Sequence, residues 1–144
     1  MNIRHLKSIQ MPKKLSRKNL IKKLDSVFSE YIRRKYADKN GIVKCYTCNK
    51  KAYWKGQGMQ NGHFISRASR ILRWEEDNCR PQCYGCNCMR YGQQYVFAQN
   101  LNKEFGYDKA DELLQKSRQT IKQSDFELIE LIDNYKSLVE KLPN

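Results

Sequence analysis

Two Cys-x-x-Cys pairs constrain this chain more than any other feature of its sequence. The pairs are Cys45 with Cys48 and Cys83 with Cys86, and 34 residues lie between them. Two such turns bring four thiolates together, which is the usual ligand set of a structural zinc ion. The separation exceeds what a compact zinc ribbon needs, so we expect a structural element to be looped out between the pairs.

The other cysteines and the expected compartment bear on this prediction. Cys79 and Cys88 belong to neither pair, and we expect neither to be a zinc ligand. Six cysteines are too few for a disulfide scaffold of this length. No segment has the apolar run of a signal peptide or a membrane span, so we expect a cytoplasmic protein that contacts no membrane and keeps its thiols reduced. The alternative is that some of these cysteines are buried or redox-active thiols.

The charge of the chain indicates its partner. The net charge is +13, from 28 Lys and Arg against 15 Asp and Glu. Residues 1–40 hold 12 basic and 3 acidic side chains, whereas residues 101–144 hold 7 basic and 9 acidic ones. Because excess positive charge is typical of proteins that bind polyanions, we expect the amino-terminal part and the cysteine region to face nucleic acid.

The length of the chain suits one domain of the α+β class. We expect a flexible basic arm over 1–15 and a single domain over 16–144. Within that domain we predict a long basic helix over 16–40, a zinc-stapled core over 41–103 and a helical segment over 104–144.

Apolar residues at helical spacing predict the first helix. It should begin after Ser16 as N-cap and stop at Asn40-Gly41. Its apolar face consists of Leu20, Leu24, Val27, Phe28, Tyr31 and Ile32. We expect Lys22, Arg33 and Arg34 on the other face to contact phosphate, although a merely solvated face is the alternative.

A hairpin and three helices complete the predicted elements. We expect the first hairpin strand over residues 59–65 and its partner over 72–74. A helix should run from Asn87 to near Leu101, with Tyr91 and Tyr95 turned inward, as are Ala98 and Leu101. A short helix from Asp108 should bury Ala110, Leu113 and Leu114, and a longer one should begin at the capping box Ser124-Asp-Phe-Glu127. The apolar stripe of the last helix forms either intramolecular core or a dimeric coiled coil.

Three polar residues in the looped-out stretch suggest hydrolysis of phosphodiesters. This reaction needs an activated water, a cation on the scissile phosphate and a group that aligns the base. His63 has a side chain with an ordinary pKa of about 6.5, suited to accept a proton. Asn78 can orient the loop or the imidazole, and Asn87 can offer a hard oxygen ligand to magnesium. A structural histidine or a fifth potential zinc ligand is the alternative for His63.

These residues carry a resemblance to a known family. The Cys-x-x-Cys pairs with Gly62-His63-Phe64-Ile65, Asn78 and Asn87 resemble the HNH, or His-Me finger, endonucleases. The run Met59-Gln-Asn-Gly-His-Phe-Ile-Ser-Arg67, with Leu72-Arg-Trp-Glu75 and Pro81-Gln-Cys-Tyr-Gly-Cys-Asn87, looks specifically like the phage NinG/Rap recombination nucleases.

The resemblance implies both a fold and a function. The fold is a ββα-metal core with a zinc knuckle pair, flanked by the long amino-terminal helix and the carboxy-terminal helices. The function is structure-specific cleavage of branched DNA, such as D-loops and Holliday junctions, with Mg²⁺ or Mn²⁺. It also implies His63 as general base, Asn78 and Asn87 as its catalytic partners, and the host cell cytoplasm as location if the gene belongs to a phage or prophage.

The chain departs from the wider superfamily at Gly62. Many HNH enzymes have Asp, Glu or His there as a metal ligand, and glycine has no side chain to coordinate. The ligand could instead be Gln60, a backbone carbonyl, or a carboxylate of Glu75, Glu76 or Asp77.

Arginines surround the predicted site, and arginine can clamp phosphate with two parallel hydrogen bonds. They are Arg67, Arg70, Arg73, Arg80 and Arg90. Some could instead pair with Glu75, Glu76 or Asp77. Core or zinc-shell packing is the expected use of Trp74, Tyr84 and Tyr91, with base stacking as the alternative.

Symmetric cleavage of junctions would require two active sites, so we expect a possible homodimer. Two rival functions use the same charge and cysteines. They are a non-catalytic zinc-ribbon module that binds nucleic acid and an adaptor in a recombination complex.

Overall fold

The structure, a computed structural model, describes residues 13–143. Within this range four α-helices accompany two antiparallel two-stranded sheets, so the α+β prediction is confirmed. The elements are α1 (Arg17–Lys35), β1 (Ile42–Lys44), β2 (Lys51–Tyr53), β3 (Met59–His63), β4 (Cys79–Cys83), α2 (Gln94–Phe105), α3 (Lys109–Lys116) and α4 (Asp125–Lys141). Of the predicted arm over 1–15, residues 1–12 lie outside the described residues.

Helix α1 begins as predicted and ends earlier. The Ser16 hydroxyl accepts a hydrogen bond of 3.3 Å from the amide of Asn19, the interaction expected of an N-cap. The helix ends at Lys35, so the predicted range of 16–40 is too long. The Asp38 carboxylate accepts from the amides of Asn40 and Ile42 at 2.8 and 2.9 Å. Because this turn takes the backbone amides, the chain leaves the helix before the predicted stop.

The two longest helices pack on each other. Leu24, Phe28 and Ile32 of α1 form one buried cluster with Leu128 and Ile132 of α4. Helix α4 begins at the predicted capping box, in which both reciprocal hydrogen bonds are formed. The apolar stripe of α4 is thus used within the chain, as the intramolecular alternative predicted.

Strands β3 and β4 form the sheet that carries His63. Their register pairs Met59 with Cys83 and His63 with Cys79. The prediction of 72–74 as the second strand is wrong, because those residues lie in turns and the partner strand starts at Cys79. All five residues of β4 are buried, including the polar Arg80 and Gln82.

The helix predicted from Asn87 is interrupted. A π-helical turn spans Gly85–Met89, and Tyr91, Gly92 and Gln93 then have φ angles of +53°, +83° and +49°. This left-handed stretch cannot continue a right-handed helix, so α2 starts only at Gln94.

Several burial predictions for the following helices are wrong. Tyr91 and Tyr95 are 89% and 77% exposed, whereas Leu101 is buried as predicted. In α3, Ala110 and Leu113 are buried, but Leu114 is 47% exposed because it lies on the outer side of the helix. None of the helices in residues 13–143 is long and apolar enough to cross a membrane.

Candidate metal cluster and adjoining cleft

The four cysteines of the two Cys-x-x-Cys pairs come together. The turn between β1 and β2 supplies Cys45 and Cys48, while Cys83 ends β4 and Cys86 lies in the π-helical turn. Their sulfur atoms all lie within 4.8 Å of one another, and those of Cys48 and Cys83 are 3.6 Å apart. This cluster could hold a zinc ion, and four thiols in this arrangement fit tetrahedral coordination.

The cysteines of this cluster differ in how readily they ionise, since burial and the neighbouring thiols raise the pKa of Cys48 to about 12. Burial disfavours the Cys45 thiolate, but hydrogen bonds from Cys83 and Thr47 lower the pKa of Cys45 to about 6. Arg90, predicted to contact phosphate, donates from Nη2 to the Cys86 sulfur at 3.4 Å. Its positive charge therefore lies beside the Cys86 sulfur, and a phosphate contact by this exposed side chain stays a prediction.

The two surplus cysteines stay apart from the cluster, as predicted. Cys79 is fully buried beside α1, and this burial raises its pKa. Cys88 is exposed and its Sγ lies 3.3 Å from Oε1 of Gln60.

A cleft of about 900 Å³ opens beside the cluster. It lies between α1, the end of β3 and the chain that follows the second cysteine pair. The side chains that matter for its chemistry are Asp25, Gln60, His63, Arg67, Asn87 and Tyr91. His63, Asn87 and Gln60, three of the predicted site residues, therefore meet on one surface.

The orientation of His63 is set by a backbone carbonyl. Its Nε2 lies 2.9 Å from the carbonyl oxygen of Arg73. A carbonyl can only accept, so Nε2 carries the proton and Nδ1 keeps its lone pair. Within residues 13–143 Nδ1 makes no hydrogen bond. Burial lowers the pKa of His63 below its ordinary value, which keeps the imidazole neutral at pH 7.

Asn78 holds the loop that follows His63. Its Oδ1 accepts from the amide of Ile65 at 2.8 Å, and its Nδ2 donates to the carbonyls of Ile65 and Leu72 at 2.9 and 3.1 Å. The side chain is fully buried and does not line the cleft. Of the two orienting roles predicted for Asn78, the geometry matches the first: it orients the loop.

Asn87 and Gln60 form a pair of amides in the cleft. Asn87 donates from Nδ2 to Oε1 of Gln60 at 2.7 Å, which leaves Oδ1 of Asn87 free to bind a cation. Both side chains are uncharged, so they fit a magnesium ion only if phosphate and water complete its coordination.

The acidic residues proposed as further metal ligands have other partners. Glu75 pairs with Lys116 at 3.1 Å, Glu76 with Lys35 at 2.7 Å and Asp77 with Lys109 at 2.7 Å. None of these carboxylates lines the cleft. Glu75, Glu76 and Asp77 are therefore removed from the set of candidate ligands.

The space beside Gly62 is already filled. A Cβ at this position would collide with the carboxamide of Gln82. Gln82 is fully buried and held by hydrogen bonds from Nε2 to the Thr47 hydroxyl at 3.0 Å and the Gly92 carbonyl at 2.9 Å. Glycine at position 62 is thus a packing requirement of this fold.

The predicted DNA-binding arginines divide into buried and accessible ones. Arg80 is only 2% exposed and binds the Glu104 carboxylate through Nη2 at 2.9 Å, so its prediction as a phosphate contact is wrong. Arg33 is half-buried and donates to the carbonyl of Trp54 at 2.6 Å. Arg67 remains 62% exposed at the cleft, and Lys22 is exposed on α1.

The other predicted arginines have partners inside the protein. Arg34 pairs with Glu30 at 3.1 Å. Arg70 and Arg73 both stack on the ring of Trp74, which is buried in the core as expected. Their guanidinium groups therefore help to build the loop.

One functional candidate was not predicted, namely Asp25 of α1. It is the one carboxylate among the residues that line the cleft. Its Oδ1 accepts from Nε of Arg73 and Nε1 of Trp74, each at 2.9 Å, and its Oδ2 accepts from Nη2 of Arg73 at 2.5 Å. The available signal was an acidic residue bordering the apolar stripe of α1, beside Leu24 and Phe28.

Comparison with known proteins identifies one family. The model of the family described as Bacteriophage Lambda NinG protein matches residues 3–144. Neither the search of curated proteins nor that of solved structures gives a match.

Proposed function

Because the chain belongs to the NinG family, we propose that it is a metal-dependent, HNH-type endonuclease that cuts branched DNA such as D-loops and Holliday junctions. The observation that carries the enzymatic part is the hydrogen bond from Nε2 of His63 to the Arg73 carbonyl. It leaves a neutral imidazole with its lone pair on Nδ1 in a cleft of about 900 Å³. The branched substrate rests on the resemblance of the motif around His63 to the phage recombination nucleases.

In this proposal His63 acts as the general base. Nδ1 takes a proton from a water molecule as the water oxygen bonds to phosphorus, and the bond from phosphorus to the leaving oxygen breaks. The Arg73 carbonyl stabilises the imidazolium that forms. Asn78 acts indirectly, because it fixes the loop on which that carbonyl lies.

Asn87 would hold the cation through Oδ1, with Gln60 as its immediate neighbour. Magnesium or manganese supplies positive charge to the scissile phosphate and the leaving oxygen. Since the amides carry no charge, the phosphate itself must contribute to binding the cation.

Arg67 and Lys22 are exposed basic side chains that would meet the DNA backbone. The zinc ion, held by four cysteines, would have no chemical role and would fasten β4, which pairs with the strand of His63, to the π-helical turn that carries Asn87. A homodimer working in the host cytoplasm fits symmetric cleavage of a four-way junction.

The test is cleavage by the purified protein of junction, duplex and single-stranded DNA, with magnesium and with chelator. We expect magnesium-dependent nicking of the junction, and a loss of about 10²- to 10⁴-fold in His63→Ala. Asn134→Ala changes an exposed residue of α4 that does not line the cleft, so it serves as the control and should cut normally.

The uncharged ligand set favours one alternative, a non-catalytic zinc module that binds nucleic acid. That alternative predicts junction binding without cleavage in wild type and His63→Ala alike. If wild type binds junctions but cuts nothing with any divalent cation, the endonuclease proposal fails.

A further inference from the structure

Asp25 lines the cleft but has no direct part in the proposed reaction. It is 22% exposed, and both of its oxygens are occupied by donors on the loop that follows β3. This loop provides the carbonyl that accepts from His63. The Asp25 carboxylate therefore connects α1 to His63 through a single residue, Arg73.

We propose that Asp25 is a positioning residue, which clamps Arg73 so that the Arg73 carbonyl holds His63 in its Nε2-protonated form. This inference rests on the proposed function for its catalytic consequence, but the geometry that it describes does not depend on cleavage.

Asp25 holds two neighbouring side chains of the loop, Arg73 and Trp74. The carboxylate binds Nε and Nη2 of Arg73 together, the bidentate arrangement that fixes a guanidinium most strongly. The neighbouring residue, Trp74, adds its indole donor to the same carboxylate. Two consecutive side chains are thus anchored to α1, and the carbonyl between them can turn little.

Asp25 is unsuited to bind the catalytic cation directly. Its two oxygens already accept three hydrogen bonds, and Arg67 approaches its Oδ2 to 3.9 Å. A divalent cation there would be repelled by two guanidinium groups. Positioning is the role that its contacts permit.

The electrostatic effect of Asp25 on His63 has a definite sign. Burial lowers the pKa of His63, the Arg73 carbonyl and Asp25 raise it, and Arg67 and Arg73 lower it. Cys88 and Tyr91 are the other titratable groups that line the cleft. Removing the carboxylate weakens both interactions that stabilise the imidazolium, so the pKa of His63 should fall further. The acid limb of the cleavage rate should then move to lower pH, because a base works only when neutral.

The experiment uses the full-length protein loaded with zinc and labelled with ¹⁵N. Nitrogen shifts of the His63 ring report both the tautomer and the pKa, and a His63→Gln variant assigns the signal against His5, the other histidine. In the isosteric variant Asp25→Asn we expect a mixture of tautomers, a lowered pKa and a cleavage rate reduced roughly 10- to 100-fold with little change in KM.

The control is Glu30→Gln. Glu30 lies on the same helix as Asp25, but its carboxylate pairs with Arg34 and not with the loop. The control variant should retain the wild-type tautomer, pKa and rate. Arg73→Lys keeps the positive charge and the backbone carbonyl but loses the two parallel hydrogen bonds to Asp25. The carbonyl is then less firmly held, so this variant should also give mixed tautomers. If Asp25→Asn does not fold and bind zinc, the tautomer of His63 in Arg73→Lys tests the positioning role instead.

The outcomes separate the two proposals. If Asp25→Asn, or Arg73→Lys in its place, keeps a single Nε2-protonated tautomer and an unchanged pKa, the positioning role is overturned. If wild type cuts no DNA, the proposed function fails, while the tautomer and pKa of the variants still decide the role of Asp25.

Discussion

The cysteine cluster and the cleft are neighbours, but they are built in different ways. The cluster takes its four ligands from two short turns, and each turn is a local motif. The cleft takes His63 from β3, Asn87 from a π-helical turn and Asp25 from α1. A change in the cluster should therefore disturb the cleft, because Cys86 directly precedes Asn87. A change in the cleft should leave the cluster intact.

The largest expected effect tests this one-way dependence. Changing both Cys45 and Cys48 to Ser removes half of the zinc ligands, and a structural zinc ion contributes an apparent free energy on the order of 10 kcal/mol. We expect loss of zinc, loss of cooperative unfolding and loss of cleavage together. Zinc content and thermal unfolding measure this, with Cys88→Ser as control. Zinc retained by the double variant would contradict the ligand assignment.

A medium effect distinguishes the arginine of the scaffold from that of the cleft. Arg80→Met leaves Glu104 without its buried partner, and we expect a loss of about 2 kcal/mol in unfolding free energy because Glu104 is itself partly exposed. Arg67→Met should leave stability unchanged and lower the slope of log affinity against log salt by about 1. Denaturant unfolding and DNA binding at several salt concentrations measure the two quantities. A normal stability of Arg80→Met would show that the pair adds nothing.

The smallest effect concerns Tyr91 at the mouth of the cleft. It is 89% exposed on a left-handed backbone, so its ring is available to stack on an unpaired base. Tyr91→Ala should weaken binding to junction DNA by about 1 kcal/mol, roughly fivefold, and hardly affect duplex binding. Tyr91→Phe keeps the ring and should bind like wild type in a direct titration. Equal losses on both DNAs would exclude stacking as the reason.

The contrast between the regions also explains what the sequence could predict. The ligands Cys45 and Cys86 belong to motifs of four residues, so spacing alone identified them. The start of α4 at its capping box was equally local. Strand β4 was missed because Arg80 and Gln82 look like surface residues, and their partners Glu104 and Thr47 are distant in the sequence.

The contacts within the cleft were also hard to predict from the sequence. His63 and Asn87 were identified from a family pattern, but the acceptor for His63 is a backbone carbonyl, which no residue type announces. Asp25 was overlooked because an acid on a basic helix resembles an ordinary solvated side chain. Only the folded loop, with Trp74 beside Arg73, gives that carboxylate its donors.

The tight fit of Gln82 against Gly62 bears on how such a site could change over evolutionary time. A carboxylate at position 62 would clash unless Gln82 were first replaced by a smaller residue. That replacement would in turn leave the hydroxyl of Thr47 and the carbonyl of Gly92 without their donor. The effects of substitutions at positions 62 and 82 therefore depend on each other, and either substitution made alone gives a less stable protein. A lineage with glycine here is held away from the acidic version of the site by its own packing.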